Sequence, residues 1–170
     1  RTLLGEDGEK ASLLIFKLSR LLRYQLYESE RQQVLLGDDI DFMTDYMKLE
    51  KLCNPEFNFE VNILNEVRYI QVPPLLFMPI IEYAVRKEVE NEEGTEKHIA
   101  IRFQEKEEGL LFTCVYRCME ADTRQRMSQT PVPALDQLQK RLELLYPGHY
   151  LLENQYDHQS SCTTSLKLMQ

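Results

Sequence analysis

The chain has 170 residues, 43% apolar and 28% charged, which suits one domain with a sizeable core. Twenty Lys and Arg against 28 Asp and Glu leave a formal charge of −8, and so exclude the basic surface that sequence-independent nucleic-acid binding needs. No apolar run approaches the roughly 20 residues that span a bilayer, and no basic-then-apolar leader is present. With Arg1 in first place the chain is expected to begin inside a longer gene product, which leaves room for a membrane-bound parent.

From Glu9 to Tyr27 the pattern predicts a helix, with Leu14, Leu18, Leu21 and Leu22 at three- and four-residue steps. Leu13 and Phe16 widen its apolar arc, so it is expected to contact two surfaces. Gly37-Asp38 opens a second helix with Asp38 as its N-cap, and Asn54-Pro55 ends it. Its apolar stripes are Ile40, Met43 and Met47, and Phe42, Tyr46, Leu49 and Cys53. Phe57, Phe59, Val61 and Ile63 alternate with polar residues as in a half-buried strand. Tyr69 to Val72 reads as a short strand stopped by Pro73-Pro74. Leu75 to Glu90 reads as a helix buried nearly all round, with Pro79 bending it or marking its first turn.

The acidic tract at 88–108 reads as a solvated rim around two strands, His98 to Gln104 and Leu110 to Arg117, joined by a turn ending at Gly109. Residues 118–133 are polar and lack a period, as in a mobile loop. Leu135 to Tyr146 is an amphipathic helix ended by Pro147-Gly148, and strands at Tyr150 to Tyr156 and Thr163 to Leu168 close the chain. Hairpins outnumber crossovers. The expected fold is α+β: a two-layer sandwich whose mixed, mainly antiparallel sheet is covered on one face by helices.

Standard chemistries are poorly represented. The six glycines include no G-x-G-x-x-G or Walker-type phosphate loop, and there is no G-x-S-x-G. The four cysteines (Cys53, Cys114, Cys118 and Cys162) are too scattered for a disulfide framework, which predicts free thiols in a reducing cytosol. Cys114 and Cys118 share a strand face without a CxxC partner, and His98, His149 and His158 lie on separate elements, so no metal site is expected. The informative stretch is Pro73-Pro-Leu-Leu-Phe-Met-Pro-Ile-Ile-Glu-Tyr-Ala-Val-Arg-Lys87. A carboxylate at Glu82, inside an apolar helix, must face a cleft, be used, or pair with Arg86 one turn on.

That stretch resembles the N box of LytS-like bacterial sensor histidine kinases, P-P-L-L-L-Q-P-L-V-E-N-A-I-K-H-G. Leu21-Leu-Arg-Tyr-Gln-Leu-Tyr27 resembles the family's L-L-R-Y-S-L-Y, Asp45-Tyr-Met-Lys-Leu-Glu-Lys51 its Y-I-x-L-E-K, Arg141-Leu-Glu-Leu-Leu-Tyr146 its R-L-x-L-x-Y, and Thr163-Thr-Ser-Leu its G-T-x-V end strand. These matches cover nearly the whole chain in order. The resemblance implies the gyrase-type ATPase fold, ATP and Mg²⁺ as cofactors, and phosphate transfer from ATP to a His and on to a response regulator. It also implies a first segment, 1–30, that ends a dimerising helical hairpin, and an ATPase-like segment, 31–170, with a lid-like loop at 118–133.

The family's site residues do not carry over with it. The Asn that ligates Mg²⁺ is Tyr83 here, a poor ligand. Glu82 and Arg86 keep the family's Glu and its basic residue near the phosphates, and Thr163 begins the family's end-strand motif. The D-N-G-x-G box reads Arg117-Cys-Met-Glu-Ala121, so Arg117 offers only donors where adenine needs an acceptor, and Met119 would enter the adenine slot. The G-I-G-L-x-N box reads Val132-Pro-Ala-Leu-Asp-Gln137, where Pro133 removes an amide donor. The family's phosphoacceptor I-N-P-H-F motif is not in the chain. The expectation is therefore a cytoplasmic catalytic-type domain of an inner-membrane sensor, its nucleotide site degenerate and Glu82 vestigial. Neither cofactor is expected to bind, and signalling is expected to proceed by conformation or association. The alternatives are an active kinase domain with an atypical site, or a binding module whose old cleft takes another ligand. Expected partners are a second copy, through the N-terminal helix, and a response regulator. No nucleic acid is expected, and a membrane only through upstream segments.

Overall fold

The computed structural model describes residues 2–28, 30–64, 66–91, 93–107, 109–118, 132–157 and 159–169, with side chains from residue 5 onward. The expectations for Met119, for His158 and for most of the loop at 118–133 fall outside these residues. The chain divides into two compact units, Arg1–Pro55 with Arg68–Leu75, and Glu56–Val67 with Leu76–Gln170. No helix among the described residues is long and apolar enough to cross a membrane.

The first unit contains α1 (Thr2–Tyr27), β1 (Val34–Leu35), α2 (Leu36–Cys53) and β3 (Gln71–Val72). Helix α1 starts earlier than its periodicity predicts and packs on α2, where Lys17 and Arg20 reach Asp45 at 3.9 and 3.3 Å. Leu13 and Phe16, which widen the apolar arc of α1, are 43% and 60% exposed and Leu14 is half-buried. Leu21 is buried at 6%. Its neighbour Leu22 takes the outward position. Asp38 is not the N-cap of α2. The helix begins two residues earlier, after an extended Leu35 with no side-chain cap, because Leu36 N–H already donates to Ile70 O at 2.8 Å beside the short antiparallel β1–β3 ladder. Asp38 and Asp39 lie in the first turn, where carboxylates favour the helix dipole. Arg68 grips α2 with a bidentate pair to Asp41, both bonds 3.0 Å.

The second unit is built on a five-stranded sheet. Its strands are β2 (Phe57–Leu64), β4 (Lys97–Lys106), β5 (Gly109–Arg117), β6 (Tyr150–Tyr156) and β7 (Ser161–Met169), ordered β2-β4-β5-β7-β6. Only β2–β4 is parallel, and the crossover between them contains α3 (Met78–Val89). A 3-10 turn at Pro133–Leu135 leads into α4 (Asp136–Leu145). The sheet is mixed and mainly antiparallel, as predicted.

Alternation decides its inner face. Ile99, Ile101 and Phe103, then Phe112, Cys114 and Tyr116, then Cys162, Thr164 and Leu166 are all buried and in register across three strands. Helix α3 packs on β4 and β5, and Phe77 meets Phe103 edge-on at 5.3 Å between ring centroids and Phe112 at 4.9 Å. Gly109 closes the β4–β5 turn at φ +133, where an added Cβ would sit 1.9 Å from Leu168 O.

Three expectations need correction here. Helix α3 begins at Met78 rather than Leu75, because Leu75 is left-handed (φ 58), and Pro79 falls in the first turn instead of bending the helix. The segment Tyr69 to Val72 holds only the two-residue β3, since Val67–Tyr69 is a 3-10 turn. Cys118 and Cys162 are joined as a disulfide, Cα–Cα 6.1 Å, although 44 residues separate them. The β5–β7 register, Tyr116 opposite Cys162, brings them together. Cys53 and Cys114 are free thiols.

Candidate functional site

The positions singled out in sequence converge on α3, the end of β5 and the start of β7. Apolar residues on the buried side of α3 (Ile80, Ile81, Ala84 and Val85) fix its rotation, and Glu82 and Arg86 face outward. Partial burial pushes the Glu82 carboxyl above its ordinary range, and the Arg86 charge opposes this. Tyr83 turns inward at 4% exposure. Its ring stands edge-on to Tyr116, 5.9 Å between centroids, and Lys87 Nζ lies 5.6 Å from its centre, a cation–π arrangement.

The buried carboxylate of this helix is Glu88, at 1% exposure, and not Glu82. Glu88 Oε1 accepts the backbone N–H of Arg117 at 2.5 Å, and Oε2 accepts Asn91 Nδ2 at 3.2 Å. Burial raises its pKa, against the pull of those two bonds and of the Arg117 charge. Burial, and then the Glu88 charge, push the Cys114 thiol far above its usual range, so Cys114 is an inert core thiol. Lys97, also buried, donates to Val89 O at 3.3 Å and places a cation at the C-terminal end of α3. The acidic tract is thus not wholly a solvated rim: its first residue, Glu88, and Lys97 are interior.

Arg117 is anchored through its backbone while its side chain is exposed. The next residue, Cys118, is held by its disulfide and by an N–H bond to Ser160 O at 2.9 Å. Thr163 lies on the sheet face opposite α3, opposite Val115 and Gln155 in register. Thr164 faces inward. Its hydroxyl donates to Asn154 Oδ1 at 2.7 Å and so accepts from Tyr116 OH at 3.1 Å. Pro133 opens the 3-10 turn, exposed, between buried Val132 and Leu135. Among the described residues no group of three or more His, Cys, Asp or Glu side chains is placed to hold a metal.

Glu88 and Thr164 escaped sequence reasoning. The position of Glu88 at the head of a run of charges made it look solvated. The alternation of inward residues along the last strand was a signal that could have selected Thr164 over Thr163.

A family model described as histidine kinase matches residues 1–57. The sensor histidine kinase/phosphatase LytS of Staphylococcus aureus is 25% identical over 93% of the chain, and the chain spans 28% of that protein's length. The histidine kinase AdeS of Acinetobacter baumannii superposes with a TM-score of 0.55 at 12% identity, covering 99% of this chain and 79% of that one. The histidine kinase ThkA, in a complex with the response regulator protein TrrA, gives 0.54 at 12% identity over 91% of this chain and 48% of its own. These structures share the fold.

Proposed function

We propose that the chain, which resembles the LytS-like sensor histidine kinases, is a catalytic-type domain whose scaffold persists while its nucleotide site is lost. Tyr83 carries the reading. At the position of the family's Mg²⁺ ligand, a phenol is packed edge-on against Tyr116 in the interior. A metal there would require breaking an aromatic core contact to gain a weak ligand. The other positions agree. Arg117 offers no acceptor to an adenine amine, and the nearest buried carboxylate, Glu88, has both oxygens engaged by Arg117 N–H and Asn91. Pro133 supplies no N–H to a phosphate. These residues do not fit ATP with Mg²⁺.

Such a domain signals by conformation and association on the cytoplasmic side of a membrane-bound parent. The exposed apolar side chains of α1 (Ile15, Phe16, Leu22 and Leu26) suit pairing with a second copy, and the domain's output would pass to a response regulator. A thermal-shift titration with Mg-ATP tests the lost site. A micromolar site at about 1 mM ligand would add about 4 kcal/mol, or roughly 8–16 °C for a chain of this size. No shift is expected. A shift of that size would overturn the reading in favour of an active kinase domain using Glu82 and Arg86.

A further inference from the structure

Asp39 is 1% exposed, so its carboxylate needs partners. It draws two of them from different segments of the first unit. The Tyr24 hydroxyl of α1 donates to Oδ1, and the Leu75 backbone N–H donates to Oδ2 at 2.9 Å. Tyr24 is aimed by its ring, which lies 4.9 Å from the Phe42 ring at 32°. Burial, and then the bond to Asp39, raise the Tyr24 pKa, so the phenol remains a donor.

Leu75 is the unusual member. Its φ of 58 places a bulky residue in the left-handed region, where few residues other than Gly, Asn and Asp are found. A backbone held there must be held by its surroundings. The Asp39 bond is such a restraint. Leu75 is followed, after two residues, by the helix that carries Glu82, Tyr83 and Arg86.

We propose that Tyr24, Asp39 and Leu75 form a conformational coupling element, through which the seating of α1 on α2 sets the backbone state of the turn preceding α3. With Tyr24 seated, Asp39 is positioned on two donors and Leu75 stays left-handed. A shift of α1 that withdraws the hydroxyl removes one of the donors that orient the buried carboxylate, and the carboxylate turns. Its hold on the Leu75 N–H weakens, and Leu75 relaxes into an ordinary backbone region. The element is biased from one end, between the seated arrangement and the relaxed one, as a switch requires. This inference does not depend on whether the domain binds a nucleotide.

Amide hydrogen exchange on the whole chain, read by NMR, tests it. Tyr24→Phe keeps the ring against Phe42 and removes only the hydroxyl. The Leu75 amide should then exchange at least about tenfold faster, in line with a weakened bond to a charged group. Coupling is reciprocal. Leu75→Val, whose β-branched side chain disfavours φ 58 and so biases the turn towards its relaxed state, should therefore shift the ring resonances of Tyr24. Unchanged Leu75 protection in Tyr24→Phe would overturn the proposal and reduce the Asp39 bond to a local turn device. Unmoved Tyr24 resonances in Leu75→Val would overturn it equally.

Discussion

Glu88 offers the most quantitative test of how the end of β5 is held. Its carboxylate is interior and accepts from the Arg117 N–H at 2.5 Å, from Asn91 Nδ2 at 3.2 Å and from the His98 backbone N–H. Glu88→Ala orphans these donors, at about 1–3 kcal/mol for each buried one, and leaves a small cavity beside Cys114. The loss should reach about 3 kcal/mol or more, because each neutral donor left buried without a partner adds its own desolvation cost. Glu88→Gln keeps the volume and an acceptor for Arg117 N–H. It gives up a charge-assisted bond but removes the cost of burying a charge, so at neutral pH it should lie within about 1 kcal/mol of the native chain.

The two variants also separate in their pH dependence. Burial raises the Glu88 pKa in the folded state, so the folded chain binds more protons than the unfolded chain between the two values. Its contribution is fully present below the unfolded carboxylate pKa and is lost as pH rises through the folded one. Glu88→Gln has no such loss. Urea unfolding between about pH 4 and pH 8 should therefore show native stability falling relative to the Gln variant as pH rises. A flat or rising difference would refute the reasoning, and so would an Ala variant that costs less than about 1 kcal/mol.

Three further outcomes are expected. The Cys118–Cys162 bond closes a separation of 44 residues, so Cys118→Ser with Cys162→Ser should lower stability by about 4 kcal/mol on the chain-entropy account, measured by urea unfolding without reductant. In the native, unreduced chain one thiol, Cys53, should react quickly with a thiol reagent, and buried Cys114 only after unfolding. Replacing the exposed Leu13 and Phe16 together by Glu should shift sedimentation equilibrium towards monomer without changing the far-UV spectrum; an unchanged association constant would count against pairing through α1.

Much of this was written locally. The two-residue alternation of Phe57 to Ile63 and of the three central strands reported both the strands and their buried faces, because a half-buried pleat forces that period. Proline and glycine marked true ends at Pro55, Gly109 and Pro147. What stayed illegible depended on distant partners. Helix α3 is apolar on so many sides that its period could not say which carboxylate turned inward, and that was decided by the Arg117 N–H, 29 residues on. The disulfide depended on a register between β5 and β7 that no local pattern carries. The early start of α2 came from a backbone bond to Ile70, which left Asp38 no cap to make. At the candidate site, residue types were readable and facing was not. Arg117 could be identified as a donor from sequence, whereas the inward packing of Tyr83 required the fold.

The single parallel pairing in the sheet has a consequence for how the chain assembles. β4 and β5 meet through a tight turn and β6 and β7 through a short one, so these ladders close with little loss of chain entropy. Two ladders are long-range: in β2–β4 Phe57 lies opposite Lys97 and Leu64 opposite Gln104, each pair 40 residues apart, and in β5–β7 the paired residues lie 44 to 60 apart. Contacts of that separation are made slowly, after local hairpins have formed. β2 is also at the edge of the sheet and half-buried, with neighbouring strand backbone on one side only. β2 should therefore open before the central strands β4, β5 and β7 in the native ensemble and show weaker protection than they do in amide exchange.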